Sequence, residues 1–159
     1  TIKTEEKYNL KESAKVEKME ATEKSKDAKI VLIAALSKIN ELVTFSISIK
    51  EAKYREFVKS GRFSETFEQG QDKILESAKY YLSGLKDNPN SKISSEEIDE
   101  IEVLISNLES TLNKAQLKKQ EEDKAQNEFN IIKKEFDEIW KRTDLFLQSE
   151  LSETELKNY

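Results

Sequence analysis

The sequence predicts an all-α protein, an antiparallel helical bundle of four main helices with a weaker helix in front of them. Three observations lead there. Apolar residues recur at helical spacing in four long segments. Only three glycines and one proline punctuate 159 residues. The charged fraction, 37%, matches the apolar fraction, 36%, which is the balance of exposed helices around a narrow core.

Residues 1–10 are polar and weakly patterned and read as a tail, leaving 11–159 as the bundle domain. From Lys11 to Lys24 the chain is helix-prone but poor in apolar residues, with only Val16 and Met19 as a stripe. The segment from Ser25 to Ser60 carries two stripes. Leu32, Leu36, Ile39, Val43, Ile47, Tyr54 and Val58 form one; Leu42, Phe45, Ile49 and Ala52 form the other. Two adjacent stripes predict a broad buried face. Within it Thr44–Ile49 alternates like a strand, which places a kink there.

Gly61 is expected to stop that helix and Ser64 to cap the next. Phe67, Gln71, Ile74, Leu75, Ala78, Tyr81, Leu82 and Leu85 continue at helical spacing, up to a turn at Asp87-Asn88-Pro89-Asn90. Ser94 with Glu97 makes a capping box, and Ile93 with Ile98 a hydrophobic staple over it. The stripe Ile98, Ile101, Leu104 or Ile105, Leu108, Leu112 and Ala115 fades into the polar run Lys118–Lys124. That run is read as a connection, because one rod from Ser95 to Glu150 would span ~80 Å. The last helix then carries Phe129, Ile132, Phe136, Ile139, Trp140 and Phe146 or Leu147, with Phe129, Phe136 and Trp140 assigned to the core. Of the pair Tyr80-Tyr81, Tyr80 is placed at a margin.

Composition narrows function as well as fold. The chain has no histidine and no cysteine, so the usual general base near neutral pH and the usual soft nucleophile are both missing. Carboxylate pairs such as Glu96-Glu97 lack the histidines of a di-metal bundle, and the glycines lack phosphate-loop spacing. The expectation is a binding module that is not an enzyme, without metal or cofactor. Net charge −5 disfavours nucleic acid. No apolar run approaches the ~20 residues of a membrane span. The chain opens on Thr1, so it reads as a fragment of a longer protein, and a monomer is expected.

Two basic groups stand out. Lys53, Arg55, Lys59 and Arg62 cluster around the loop Lys59-Ser60-Gly61-Arg62-Phe63-Ser64, and Lys133, Lys134, Lys141 and Arg142 lie on the last helix. Each group can be read simply as a solvated face. The sharper reading is that Arg62, on a short glycine-containing loop between two patterned helices, projects on a rigid mount. A trypsin-like protease pocket with a buried carboxylate accepts such an arginine.

The stretch Arg55-Glu56-Phe57-Val58-Lys59-Ser60-Gly61-Arg62-Phe63-Ser64, followed by Gly70-Gln71-Asp72-Lys73-Ile74-Leu75-Glu76-Ser77-Ala78-Lys79-Tyr80-Tyr81-Leu82, resembles the C-terminal helical domain of Borrelia fibronectin-binding lipoproteins and their Erp-like paralogues. The resemblance runs from about Ser25 to the end of the chain and rests on overall pattern and this segment. It implies a bacterial outer-surface protein, lipid-anchored through a segment absent from this fragment. It further implies a bundle that binds the initiating serine proteases of the classical complement pathway, of r and/or s type, and blocks them. In that family a loop arginine enters the protease's specificity pocket and a lysine on the last helix makes a second contact. The positions that match are Arg62 and, in Trp140-Lys141-Arg142, Lys141; Lys133 and Lys134 are alternatives to Lys141. Lys59, Gly61 and Arg142 flank the two contacts. Fibronectin binding in the family belongs to a segment upstream. An adhesin or host-regulator binder without protease inhibition, taking fibronectin or factor H, is the competing expectation, and a cytosolic helical adaptor is the third. In a simple up-down bundle Arg62 shares one end with the start of the last helix, and Lys141 lies ~27 Å further along.

Overall fold

The computed structural model describes residues 2–151 together with Glu155 and Lys157; Thr1, where the expected tail starts, lies outside them. The protein is all-α. Its helices are α1 (Ile2–Ser46), α2 (Phe63–Phe67), α3 (Gln71–Asp87) and α4 (Ser95–Glu150), with a short 3-10 helix at Ala52–Glu56 between α1 and α2. No strand occurs among the described residues. The chain divides into two units, a terminal one formed by 1–17 with 118–159 and a central one formed by 18–117.

The helix boundaries depart from the sequence reading in four places. Residues 2–10 are the opening turns of α1, not a tail, and the weak helix at 11–24 is continuous with the stronger pattern after it. α1 then ends at Ser46, inside the alternating Thr44–Ile49 stretch, so the expected kink is a true helix end. Ser64 lies inside α2, whose cap position is Arg62; α2 lasts five residues, and α3 begins separately at Gln71. Finally, 118–124 is helical, part of an unbroken α4.

The first and last departures have one cause, visible in the terminal unit. Lys7 pairs with Glu128 at 2.5 Å and Glu17 with Lys118 at 2.7 Å, and Lys118 also pairs with Glu121 at 2.6 Å. The Tyr8 ring meets Phe129 edge-on at 5.9 Å, with Lys11 Nζ 4.9 Å from the Phe129 centroid. The opening turns of α1 therefore supply α4 with the partner that a lone rod would lack, and the polar run has neither glycine nor proline to break it. No described residue of this unit is fully buried. The pairs run in opposite order along α1 and α4, so Ile2 falls level with about residue 133 of α4. Phe136, Ile139, Trp140, Leu145 and Phe146 of α4 are exposed, Trp140 at 67%. The assignment of Phe129, Phe136 and Trp140 to the core is thus corrected: Phe129 is half-buried against Tyr8, and the other two face solvent.

The central unit holds the hydrophobic core. Leu32, Leu36, Ile39 and Val43 of α1, Ile74, Ala78, Tyr81 and Leu85 of α3, and Ile101, Ile105 and Leu108 of α4 are buried together, with Tyr54, Phe57, Val58 and Phe67 from the segment between α1 and α3. The first α1 stripe is the core face. The second is not, since Phe45 and Ile49 are exposed; α1 ends before a second face can be covered. The boundary ahead of α4 follows the sequence closely. Glu97 Oε2 accepts from the Ser94 N–H at 2.8 Å, and the Ser94 hydroxyl accepts from the Glu97 N–H at 3.2 Å. Ile93 is buried, with Ile98 packed against the same cluster.

Two polar features tie the segment between α1 and α3 into this core. Asn40 Oδ1 accepts from both buried tyrosines, Tyr54 at 2.7 Å and Tyr81 at 3.1 Å. Burial pushes the Tyr54 hydroxyl up from its ordinary range and the Tyr81 hydroxyl further still. Above pH ~10 the unfolded chain ionises its tyrosines while the folded chain keeps these two protonated. Stability is therefore full below that pH and lost as pH rises through the folded values, at most about 1.4 kcal/mol per pH unit from Tyr81. Thermal melts from pH 7 to 11.5 are expected to show this decline. Tyr81→Phe should flatten it.

The second feature is the seat that α3 offers the 3-10 helix. Tyr80 OH donates to the Arg55 carbonyl at 2.9 Å, and Asn88 Nδ2 donates to Glu56 Oε2 at 2.8 Å. Between them lies Gly84, where an added Cβ would stand 2.6 Å from the Glu56 carbonyl oxygen. In an open helix interior glycine is inferior to alanine by roughly 1 kcal/mol. Here the obstruction is backbone, which cannot rotate aside. Overpacking of about 1–3 kcal/mol outweighs the propensity gain. Gly84→Ala is expected to lower the urea midpoint, where propensity alone would raise it.

Candidate protein-interaction site

The loop that carries Arg62 is built from its two ends inward. The Phe57 and Val58 N–H groups both donate to the Tyr54 carbonyl at 3.1 Å, closing the 3-10 helix, and both side chains are buried. The Gly61 N–H donates back to the Val58 carbonyl at 2.9 Å, and Gly61 takes φ +73. A Cβ there would meet only Arg55 Nε, at 3.8 Å, so it is the left-handed backbone that requires glycine and not a lack of space. On the far side Phe63 stacks on Phe67 at 4.6 Å and meets Tyr81 at 6.0 Å, anchoring the start of α2 to the core.

Two hydroxyls fix the backbone of Arg62 itself. Its N–H donates to Ser60 Oγ at 3.1 Å, and its carbonyl accepts from Thr66 Oγ1 at 2.9 Å and from the Thr66 N–H at 3.2 Å. Ser60 Oγ and Thr66 Oγ1 lie 2.8 Å apart. Ser60 Oγ also lies 3.1 Å from the Arg62 carbonyl, so either hydroxyl can donate to that carbonyl while the other donates to its neighbour, and Ser60 accepts from the Arg62 N–H in both cases. Both polar groups of the Arg62 peptide backbone are thereby held, while its side chain is 71% exposed. The guanidinium donates to Glu65 Oε1 at 2.6 Å. That bond, and with it the nearby negative charge, holds the arginine above its ordinary pKa.

The surroundings are mixed in charge. Lys53, Arg55 and Lys59 are exposed on the same segment, as are Glu51, Glu56, Glu65 and Glu68, and Lys59 Nζ sits 4.7 Å from the Tyr80 ring centroid. A shallow groove beside the loop is lined by Lys59, Ser60, Thr66, Gln69, Glu76 and Tyr80. Of the residues singled out in the sequence, Lys59, Gly61 and Arg62 come together here. Lys141 and Arg142 belong to the terminal unit, where both are exposed on α4 next to Trp140. The expectation that a final helix starts at Arg62's end of the bundle is withdrawn, because α4 has no start near 125. Lys133 and Lys134 are exposed as well. Among the described residues no acidic, histidine or cysteine cluster is arranged to hold a metal ion, and no helix is long and apolar enough to cross a membrane.

Sequence reasoning passed over Ser60, Glu65 and Thr66. The signal was present in their spacing, since a side chain two before, three after or four after the start of a helical turn reaches its backbone or neighbour. No protein-family description, curated protein or solved structure matches the chain.

Proposed function

We propose that this chain is a protein ligand of the initiating serine proteases of the classical complement pathway, of r and/or s type, and that it blocks them by presenting Arg62 to the primary specificity pocket. The observation that carries this reading is the Arg62 loop: a backbone held at both its N–H and its carbonyl, bearing an arginine side chain open to solvent. Rigid presentation matters because ordering a mobile loop subtracts from binding, whereas a preformed one avoids that cost. A guanidinium supplies the planar donors that a buried carboxylate at the base of a trypsin-like pocket takes up. The resemblance of the segment around Arg62 to the Borrelia surface lipoproteins points to the same partner, and with it to an outer-surface location through a lipid anchor.

In this reading the protein acts by binding and has no catalysis of its own. Lys141 is the second contact, flanked by Arg142. The central unit is a bundle in which α3 and α4 are antiparallel. Lys79 pairs with Glu109 and Lys86 with Glu102, so partner numbers fall along α4 as they rise along α3. A second reading, an adhesin or host-regulator binder, draws support from the exposed Phe136, Ile139 and Trp140 on α4, an apolar surface suited to a protein partner. The test is binding of the chain to immobilised r- and s-type proteases, with fibronectin and factor H as comparators. Saturable binding to a protease together with inhibition of peptide cleavage is the expected result. Preference for a comparator overturns the reading.

A further inference from the structure

The Arg62 side chain is exposed but engaged, and its engagement has a direction. Glu65 lies three residues on, in the only turns of α2, and its Oε1 takes a guanidinium N–H at 2.6 Å. The pair ties the guanidinium to a carboxylate on the helix that Arg62 precedes. An arginine entering a deep pocket must extend away from its own backbone, and the Glu65 carboxylate, fixed to α2, cannot follow it. We infer that Glu65 is a latch on Arg62, an internal competitor for the partner's carboxylate that sets how tightly the loop binds. The inference rests on Arg62 being the residue that enters the partner.

Two effects of Glu65 oppose each other. An ion pair that ordered Arg62 in its bound geometry would aid binding, whereas one that orders it in a different geometry must be broken first. Glu65 is fixed to α2 and holds the guanidinium on the protein's own surface, which selects the second. Both side chains are more than half exposed, at 71% and 57%, so the latch is weak, worth no more than a surface ion pair. Removing it is expected to tighten binding by about two- to fivefold. The Ser60–Thr66 clasp acts on the Arg62 backbone alone and survives release of the side chain.

The experiment measures affinity of Glu65→Gln for the immobilised protease in the parent and in the Arg62→Ala background, with Glu68→Gln as a matched loss of one negative charge. Glu68 has no contact with Arg62 among the bonds of this loop. Tighter binding for Glu65→Gln in the parent, absent in the Arg62→Ala background and larger than for Glu68→Gln, is the expected pattern. An equal gain in both backgrounds, or one equal to that of Glu68→Gln, reduces the effect to long-range charge and overturns the latch. Weaker binding overturns it also. A partner-free measurement separates this inference from the functional reading. In nitrogen-15 spectra of the free protein, the Arg62 guanidinium signals should shift and their bond rotation quicken in Glu65→Gln. No change there removes the latch even if Arg62 is essential for binding. A change there, with Arg62→Ala binding as the parent does, keeps the ion pair and removes its role in the complex.

Discussion

Arg62→Ala is expected to weaken binding to the complement protease by well over tenfold while leaving the thermal melt unchanged. The two halves of this expectation have separate grounds. The loss follows from removing a charged hydrogen-bond donor from a desolvated pocket, which leaves the partner's carboxylate unpaired. The unchanged melt follows from exposure. Beyond Cβ the Arg62 side chain meets Glu65 in a surface pair, and the bonds that hold the loop use its backbone, which alanine retains. Lys141→Ala should reduce affinity less and act mainly through the association rate, with a dependence on salt. Lys86, paired with Glu102 on the central unit, serves as the control, and Lys86→Ala should change binding little. If Arg62→Ala binds as the parent does, the loop-arginine mechanism is wrong for this protein, whatever other face binds.

Asn40→Ala is expected to be the most destabilising single change in the polar part of the core, by about 2–6 kcal/mol. Asn40 Oδ1 is the acceptor for two buried tyrosine hydroxyls, and both residues, Tyr54 and Tyr81, are almost inaccessible to solvent. Each orphaned hydroxyl costs about 1–3 kcal/mol, far more than the net value of a made hydrogen bond. The asymmetry supplies the check. In urea denaturation Asn40→Ala should lower the midpoint with little change in slope. Tyr54→Phe and Tyr81→Phe placed in the same background should then recover much of the loss, because no donor is left without an acceptor. If the triple variant is less stable than Asn40→Ala alone, the cost lies in packing and the shared-acceptor account fails. The node reaches the Arg62 loop through Tyr54 and through Tyr81, which supports Phe63. Asn40→Ala should therefore weaken protease binding as well, in contrast to Arg62→Ala, which separates binding from stability.

Much of the fold was legible because helical periodicity is a local property. The stripe from Leu32 to Val43, the capping box at Ser94 and Glu97, and the end of a helix at Asp87 depend on residues within a few positions of one another, and all three stand in the structure, although the closed turn falls at Asn90–Ile93 and not at Asp87–Asn90. What failed had a common character. The polar opening of α1, as far as Glu17, and the polar run that starts at Lys118 are helical because they lie against the other end of the chain, as Glu17 pairs with Lys118 and Lys7 with Glu128. Neither segment carries an apolar signal of its own. Phe136 and Trp140 fit a core stripe as well as Leu36 does, yet stand in solvent. Periodicity says which side of a helix is apolar, not whether anything lies against it.

The candidate site divides in the same way. That Arg62 sits beside a glycine, in a basic stretch between two helical patterns, is a property of the sequence alone, as are the all-α class and the absence of histidine and cysteine. Only the tertiary structure decided that Ser60 and Thr66 close on the Arg62 backbone, that Glu65 accepts from the guanidinium, and that α3 seats the 3-10 helix against Gly84. The physical reason is range. Helix propensity and apolar spacing act over a single turn, whereas hydrogen-bond partners and packing neighbours are set by which segments the core brings together.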